Sequence, residues 1–84
     1  MHPALKVVCA RLTGIRDDAE WLFARDDAFR ELCEEYEACT AATDRLATGG
    51  QESLRNEYKT LLLRLEGELL RYVAEHDRMG SKGT

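Results

Sequence analysis

Apolar residues recur at helical spacing in four blocks of this chain, separated by acids and glycines, with the single proline at the start of the first. Leu5, Val8, Leu12 and Ile15 step by three and four behind Pro3, which suits a first helical turn because its missing N–H costs nothing there. They predict an amphipathic helix over residues 3–13, ended near Gly14. Asp17 followed by Glu20 has the spacing of a capping box and predicts a short helix over 17–24. Asp26 or Asp27 can cap a further start, which places a break at 25–27 and a long helix over 27–47. Gly49 and Gly50 supply the left-handed backbone that ends a helix. The helical pattern resumes over 52–78, and residues 79–84, with no apolar period, read as a disordered tail. No strand pattern interrupts this series, so the expected fold is all-α, with one helical domain over 1–78.

The two long helices carry a stronger signal than periodicity. Phe29, Leu32, Tyr36, Thr40, Thr43 and Ala47 step by 3, 4, 4, 3 and 4, while Leu54, Tyr58, Leu61, Leu65, Leu69 and Tyr72 step by 4, 3, 4, 4 and 3. One series is the other reversed, and each facing pair of numbers adds to 101. A chain folded back at Gly50 brings Phe29 to Tyr72, Leu32 to Leu69, Tyr36 to Leu65, and so on down to Ala47 with Leu54. That is the pattern of an antiparallel helical hairpin, a short coiled coil with interlocking layers and arms about 30–40 Å long. Trp21, Leu22 and Phe23 fall near its open end, where they can join Phe29, Tyr72, Val73 and His76 in an aromatic plug.

The stretch Lys59–Tyr72 holds six leucines, more than one seam uses. Leu63, Gly67, Leu70 and Ala74 form a second row on the opposite face of the same helix, at i, i+4, i+7 and i+11. A glycine inside a helix costs about 1 kcal/mol relative to alanine, and close approach of another backbone is one benefit that offsets it. Three readings of this row stay open: cover by the chain's own first helix, packing against a second copy in a helical bundle, or single exposed leucines that touch nothing.

Composition narrows the chemistry. At 84 residues the chain is too short for a large core and gains from regular helix packing or a partner. Its net charge of −4 is uneven: residues 1–16 carry three bases and no acid, whereas residues 17–47 hold ten acids against three arginines. The acidic middle argues against nucleic-acid binding, which needs a continuous basic face. Cys9, Cys33 and Cys39 are odd in number and lack metal-finger spacing, so they read as buried free thiols in a reducing cytoplasm, with the reactivity of Cys9 open. Glu31, Glu34, Glu35 and Glu37 read as a solvated face, some pairing with Arg30, Arg64 or Arg71. No Glu-x-x-His accompanies them, as a di-metal bundle requires. His2 falls at a frayed terminus, and His76 near a helix end reads as a dipole partner or a member of the plug. No catalytic constellation, metal site or cofactor motif emerges.

The segments "LFARDDAFRELCEEYEAC" and "LRNEYKTLLLRLEGELLRYV", joined by a glycine-containing turn, resemble the YdcH-like group of small bacterial helical-hairpin proteins over about residues 22–73. The resemblance implies a bacterial cytoplasmic protein and a helical hairpin, and it carries over no catalytic residue; the additional helix at 3–15 departs from it. The expectation is a non-enzymatic protein–protein interaction module, binding a partner helix or a second copy of itself as a homodimer. Its surface is the row Leu63, Gly67, Leu70 and Ala74, with whichever of Trp21 and Phe23 stays exposed. The hairpin core is expected to be Phe29, Leu32, Tyr36, Leu54, Tyr58, Leu61, Leu65, Leu69 and Tyr72. The alternatives are association with a membrane surface through the basic first helix, or service as an accessory subunit of an enzyme.

Overall fold

The computed structural model describes residues 1–76; the tail expected at 79–84 and the last two positions of the 52–78 arm lie outside the described residues. The chain folds as α1 (Pro3–Arg11), a 3₁₀ turn (Thr13–Ile15), α2 (Arg16–Arg25), α3 (Asp27–Leu46) and α4 (Glu52–Glu75), an all-α arrangement. Its extents are 49 × 26 × 20 Å.

Local chemistry sets the boundaries. Pro3 opens α1 as its spacing predicted, but His2 is not a frayed end: its Nδ1 accepts the Ala4 N–H at 3.0 Å and its ring packs on Phe23 at 5.1 Å. The capping box at Asp17 does not form. The 3₁₀ turn runs straight into α2, which starts at Arg16 without a side-chain cap, and Asp17 and Asp18 serve its first turn as acids favourable to the helix dipole. Asp26 makes the predicted break. Its backbone is extended (φ −122°, ψ 110°) and its carboxylate accepts the Phe29 N–H at 3.1 Å, capping α3. Gly50 turns the chain between the long arms at φ 77°, where a side chain would be strained.

α3 and α4 form the antiparallel hairpin. Phe29 and Tyr72 meet at its open end with ring centroids 5.5 Å apart, the first layer of the palindromic register. Midway, the Tyr36 hydroxyl donates to Glu66 at 2.6 Å, and nearer the turn the Cys39 thiol donates to the Tyr58 carbonyl at 3.4 Å. The buried set is nevertheless wider and shorter than the seam. Leu65 and Leu69 are buried as expected, with Leu62 and Val73 beside them, whereas Tyr58, Leu61 and Tyr72 are half-buried. Leu54 is 39% exposed and its expected partner Ala47 is exposed, so the last layer is not core. The reason is local: Ala47 already belongs to the turn, and no third element lies over that end. Leu32 is likewise half-buried, while Cys33 is fully buried. α1 and α2 pack on α3 and cover the Cys33 flank, which leaves the Leu32 flank to a shallow groove shared with Glu68, Arg71, Tyr72 and Glu75.

The N-terminal helices complete the core rather than the outer row of α4. Ala4, Leu5, Val8 and Cys9 of α1, with Ala19, Leu22 and Phe23 of α2, join Phe29, Cys33 and Tyr36 in one cluster. Burial of each large apolar side chain there contributes about 1.5–3 kcal/mol, and these contacts enlarge a core that the two hairpin arms alone leave thin.

Candidate interaction surface

On α4, residues facing the core lie at Leu62, Leu65, Leu69 and Val73, so the residues half a turn away face solvent. Leu63 is 70% exposed and Leu70 is 45% exposed, and Gly67 and Ala74 are exposed between and beyond them. A Cβ added at Gly67 would meet nothing within 4 Å. The first of the three readings of this row is therefore corrected: α1 does not cover it, because α1 spends its apolar face on α3. Gly67 makes no close approach to any of the described residues.

Trp21 and Phe23 do not extend the surface. Phe23 is buried against the His2 ring, with the Arg30 guanidinium 5.8 Å from its centroid and the Arg30 Nη1 donating to its carbonyl at 2.9 Å. Trp21 is half-buried, its ring covered by Arg25 at 4.6 Å. Leu22 and Phe23 nevertheless share one buried cluster with Phe29 and Val73, Trp21 and Tyr72 pack against it, and His76 stacks on Tyr72 at 4.1 Å, so the residues expected in the plug do gather at the open end.

The exposed uncharged row extends beyond Leu63. Asn56 and Thr60 continue it toward the N-terminus of α4 with the same alternating step of three and four, and both are exposed. The Thr60 hydroxyl donates to the Asn56 carbonyl of its own helix at 3.0 Å, which leaves the polar group satisfied. The uncharged run at positions 56, 60, 63, 67, 70 and 74 was the signal that could have found them.

Two grooves flank the hairpin. One, of about 600 Å³, is walled by α3 and α4 alone, with Cys39, Tyr58, Leu61 and Leu65 inside and Arg45, Arg64, Glu35 and Glu68 at the rim. The other, of about 410 Å³, lies on the Leu62 side beyond the end of α1 and is bordered by Arg11, Lys59, Thr40, Asp44 and Glu66, with Leu63 on its edge. Both rims mix charges of either sign, so neither groove selects an ion by its field.

The titratable groups serve the fold. The Tyr72 hydroxyl donates to the Asp26 carboxylate at 2.6 Å; this bond, with the Phe29 N–H, holds the Asp26 carboxyl below its ordinary range and pushes Tyr72 up to about 12. Burial, then the bond to Glu66, raises Tyr36 to about 12. All three cysteines are buried, and burial pushes the Cys33 thiol up to about 12 and raises Cys9 and Cys39, so none is poised as a thiolate. Among the described residues, no group of three or more His, Cys, Asp or Glu could hold a metal ion. The expected pairing of the α3 glutamates with arginines is not seen: Arg30 binds the Asp27 carboxylate, and Glu34 lies 3.9 Å from His2. No helix among the described residues is long and apolar enough to cross a membrane. The face of α1 that a membrane surface would take, Leu5 and Val8, is buried in the core. Comparison with protein-family models, curated proteins and solved structures finds no match to this chain.

Proposed function

We propose that the protein is a non-enzymatic interaction module of the helical-hairpin kind suggested by its YdcH-like segments, and that it presents the outer face of α4 to a partner helix. One observation carries this reading. Leu63 and Leu70 stand exposed on either side of a mid-helix glycine whose Cβ space is empty. A partner helix docked there gains two leucine anchors and a close backbone approach at Gly67, which is how helices recognise each other through apolar faces. The alternatives draw less support. The tyrosine hydroxyls inside the bundle are engaged by carboxylates and the thiols are buried, which leaves few convergent polar groups for catalysis. The membrane-surface reading would need α1 to leave α3.

The test places a photo-crosslinking side chain at position 63 or 70 of the full chain, in cells that produce it, with position 10, exposed on α1, as the control. Discrete crosslinked protein products at 63 and 70 but not at 10 are expected. Equal labelling at all three sites, or none at 63 and 70, would overturn the proposal.

A further inference from the structure

The outer row of α4 has a symmetry that identifies its partner. Its positions, Asn56, Thr60, Leu63, Gly67, Leu70 and Ala74, step by 4, 3, 4, 3 and 4, the spacing of a coiled-coil seam, and none is charged. The series reads the same from either end. We infer that the partner is a second copy of this chain, with the two α4 helices packed antiparallel about a two-fold axis that passes beside position 65.

In that arrangement facing positions add to 130. Leu63 of one copy meets Gly67 of the other, and Leu70 meets Thr60, so each large side chain falls opposite a small one and each layer occurs twice. This self-complementarity is what an isologous interface requires. Gly67 then lets the helices approach toward the short end of the usual 8–10 Å separation. Thr60 can be covered at little cost because its hydroxyl is already bonded to the Asn56 carbonyl. Overlap from 56 to 74 runs about 27 Å along the helices at 1.5 Å per residue.

Charge selects the direction. Glu57 and Arg71 flank the row on the same side, are exposed, and make no ion pair with another described residue. Antiparallel pairing sets Glu57 of each copy beside Arg71 of the other, giving two opposite-charge contacts at the rim. Two like-charge encounters fall near the axis: Arg64 with itself, where Glu35 and Glu68 border the same groove, and on the other flank Glu66 with itself, whose carboxylate accepts the Tyr36 hydroxyl. Parallel pairing would stack Leu63 on Leu63 and leave Gly67 facing Gly67. It would also bring Lys59 toward Arg64 and Glu52 toward Glu57. Its one opposite-charge contact, Glu66 with Arg71, is outnumbered by these two like-charge contacts, so size disfavours it and so does the balance of charge. α1 and α2 pack mainly on α3, with α2 also touching α4, and they leave Leu63 and Leu70 exposed.

This inference rests on the proposed docking face, and its test separates the two. Light scattering on the full chain, across micromolar to sub-millimolar concentrations, should show the mass rise from 9.5 kDa toward twice that value. Leu70→Glu should lower the association constant by at least about tenfold, because it places a charge in an apolar contact. It should leave the circular dichroism of the dilute protein unchanged. Glu57→Arg and Arg71→Glu should each weaken self-association, and an equimolar mixture of the two variants should recover it as a heterodimer. A folded chain that stays at 9.5 kDa at every concentration overturns the pairing with a second copy. Crosslinks from 63 and 70 to a different protein would in that event leave the docking face standing. A dimer indifferent to Leu70→Glu and to the charge reversals overturns the assigned interface.

Discussion

Gly67→Ala separates what the glycine costs the single chain from what it does for association. In the isolated molecule, position 67 lies well inside the 24-residue α4, its backbone is helical, and an added Cβ meets nothing within 4 Å. The substitution should therefore realise the whole difference in helix propensity, a gain of about 1 kcal/mol. For a domain of this size that is a rise of about 4–8 °C in Tm, read by circular dichroism at concentrations where the protein is monomeric. In the antiparallel pair the same methyl points at Leu63 of the other copy and pushes the helices apart. Overpacking of a close contact costs about 1–3 kcal/mol, and the two-fold axis repeats it, so the association constant should fall by roughly thirtyfold or more. The variant should thus be more stable than the parent when dilute and lose that advantage as concentration increases. An unchanged or lower Tm in dilute solution would refute the open helical environment assigned to Gly67. A full gain in Tm with undiminished self-association would refute the close approach.

Three further outcomes test the fold and its titrating groups. Leu69→Ala, at a site with no exposure, should cost about 2–5 kcal/mol in a denaturant melt, whereas Leu54→Gln should stay within about 0.5 kcal/mol; equal costs would restore Leu54 to the core. Asp26→Ala removes the cap of α3 and the acceptor of Tyr72, a loss of about 1 kcal/mol from the cap alone at neutral pH. Because the folded pKa of Asp26 lies below its unfolded value, its contribution is present above about pH 4 and fades as pH falls through the folded value, so the parent should lose more stability on acidification than the variant. A thiol reagent at neutral pH should label Cys9, Cys33 and Cys39 only at the rate of unfolding, and rapid labelling of Cys9 in the native state would contradict its burial.

The hairpin was legible because periodicity and direction are both written in one dimension. Phe29 and Tyr72 were paired by counting alone, and the rings meet. Counting could not say where the layers part. Ala47 and Leu54 continue the series arithmetically, yet the turn takes Ala47 and nothing covers Leu54. Nor could it rank Leu32 against Cys33, since both fall on the inner half of α3 and only the side on which α1 docks decides which is sealed. The cap shows the same division. Asp26 followed by an amphipathic run was enough to locate α3, but Asp17 lost its capping role because the 3₁₀ turn began α2 one residue earlier.

The docking of α1 is the step the sequence left open, and it governs the rest. α1 offers Leu5 and Val8, and two faces could have received them: the flank of α3 at Cys33 and Tyr36, or the outer row of α4. Packing on α3 lets α1 and α2 share one cluster with Phe29, and it adds to a core already begun by the hairpin. Packing on the outer row would have created a second, separate layer from four apolar positions, leaving Cys33 open and α2 without cover. Cooperative burial favours the first arrangement. Its consequence is that α4 keeps leucines on two faces, of which only one is buried by the described residues. The unused face retains a glycine that costs the monomer stability and a threonine whose hydroxyl is already bonded within the helix. Both features are unfavourable or indifferent in a solvated helix and favourable in a helix–helix contact. They are the two features on which the proposed docking of α4 rests.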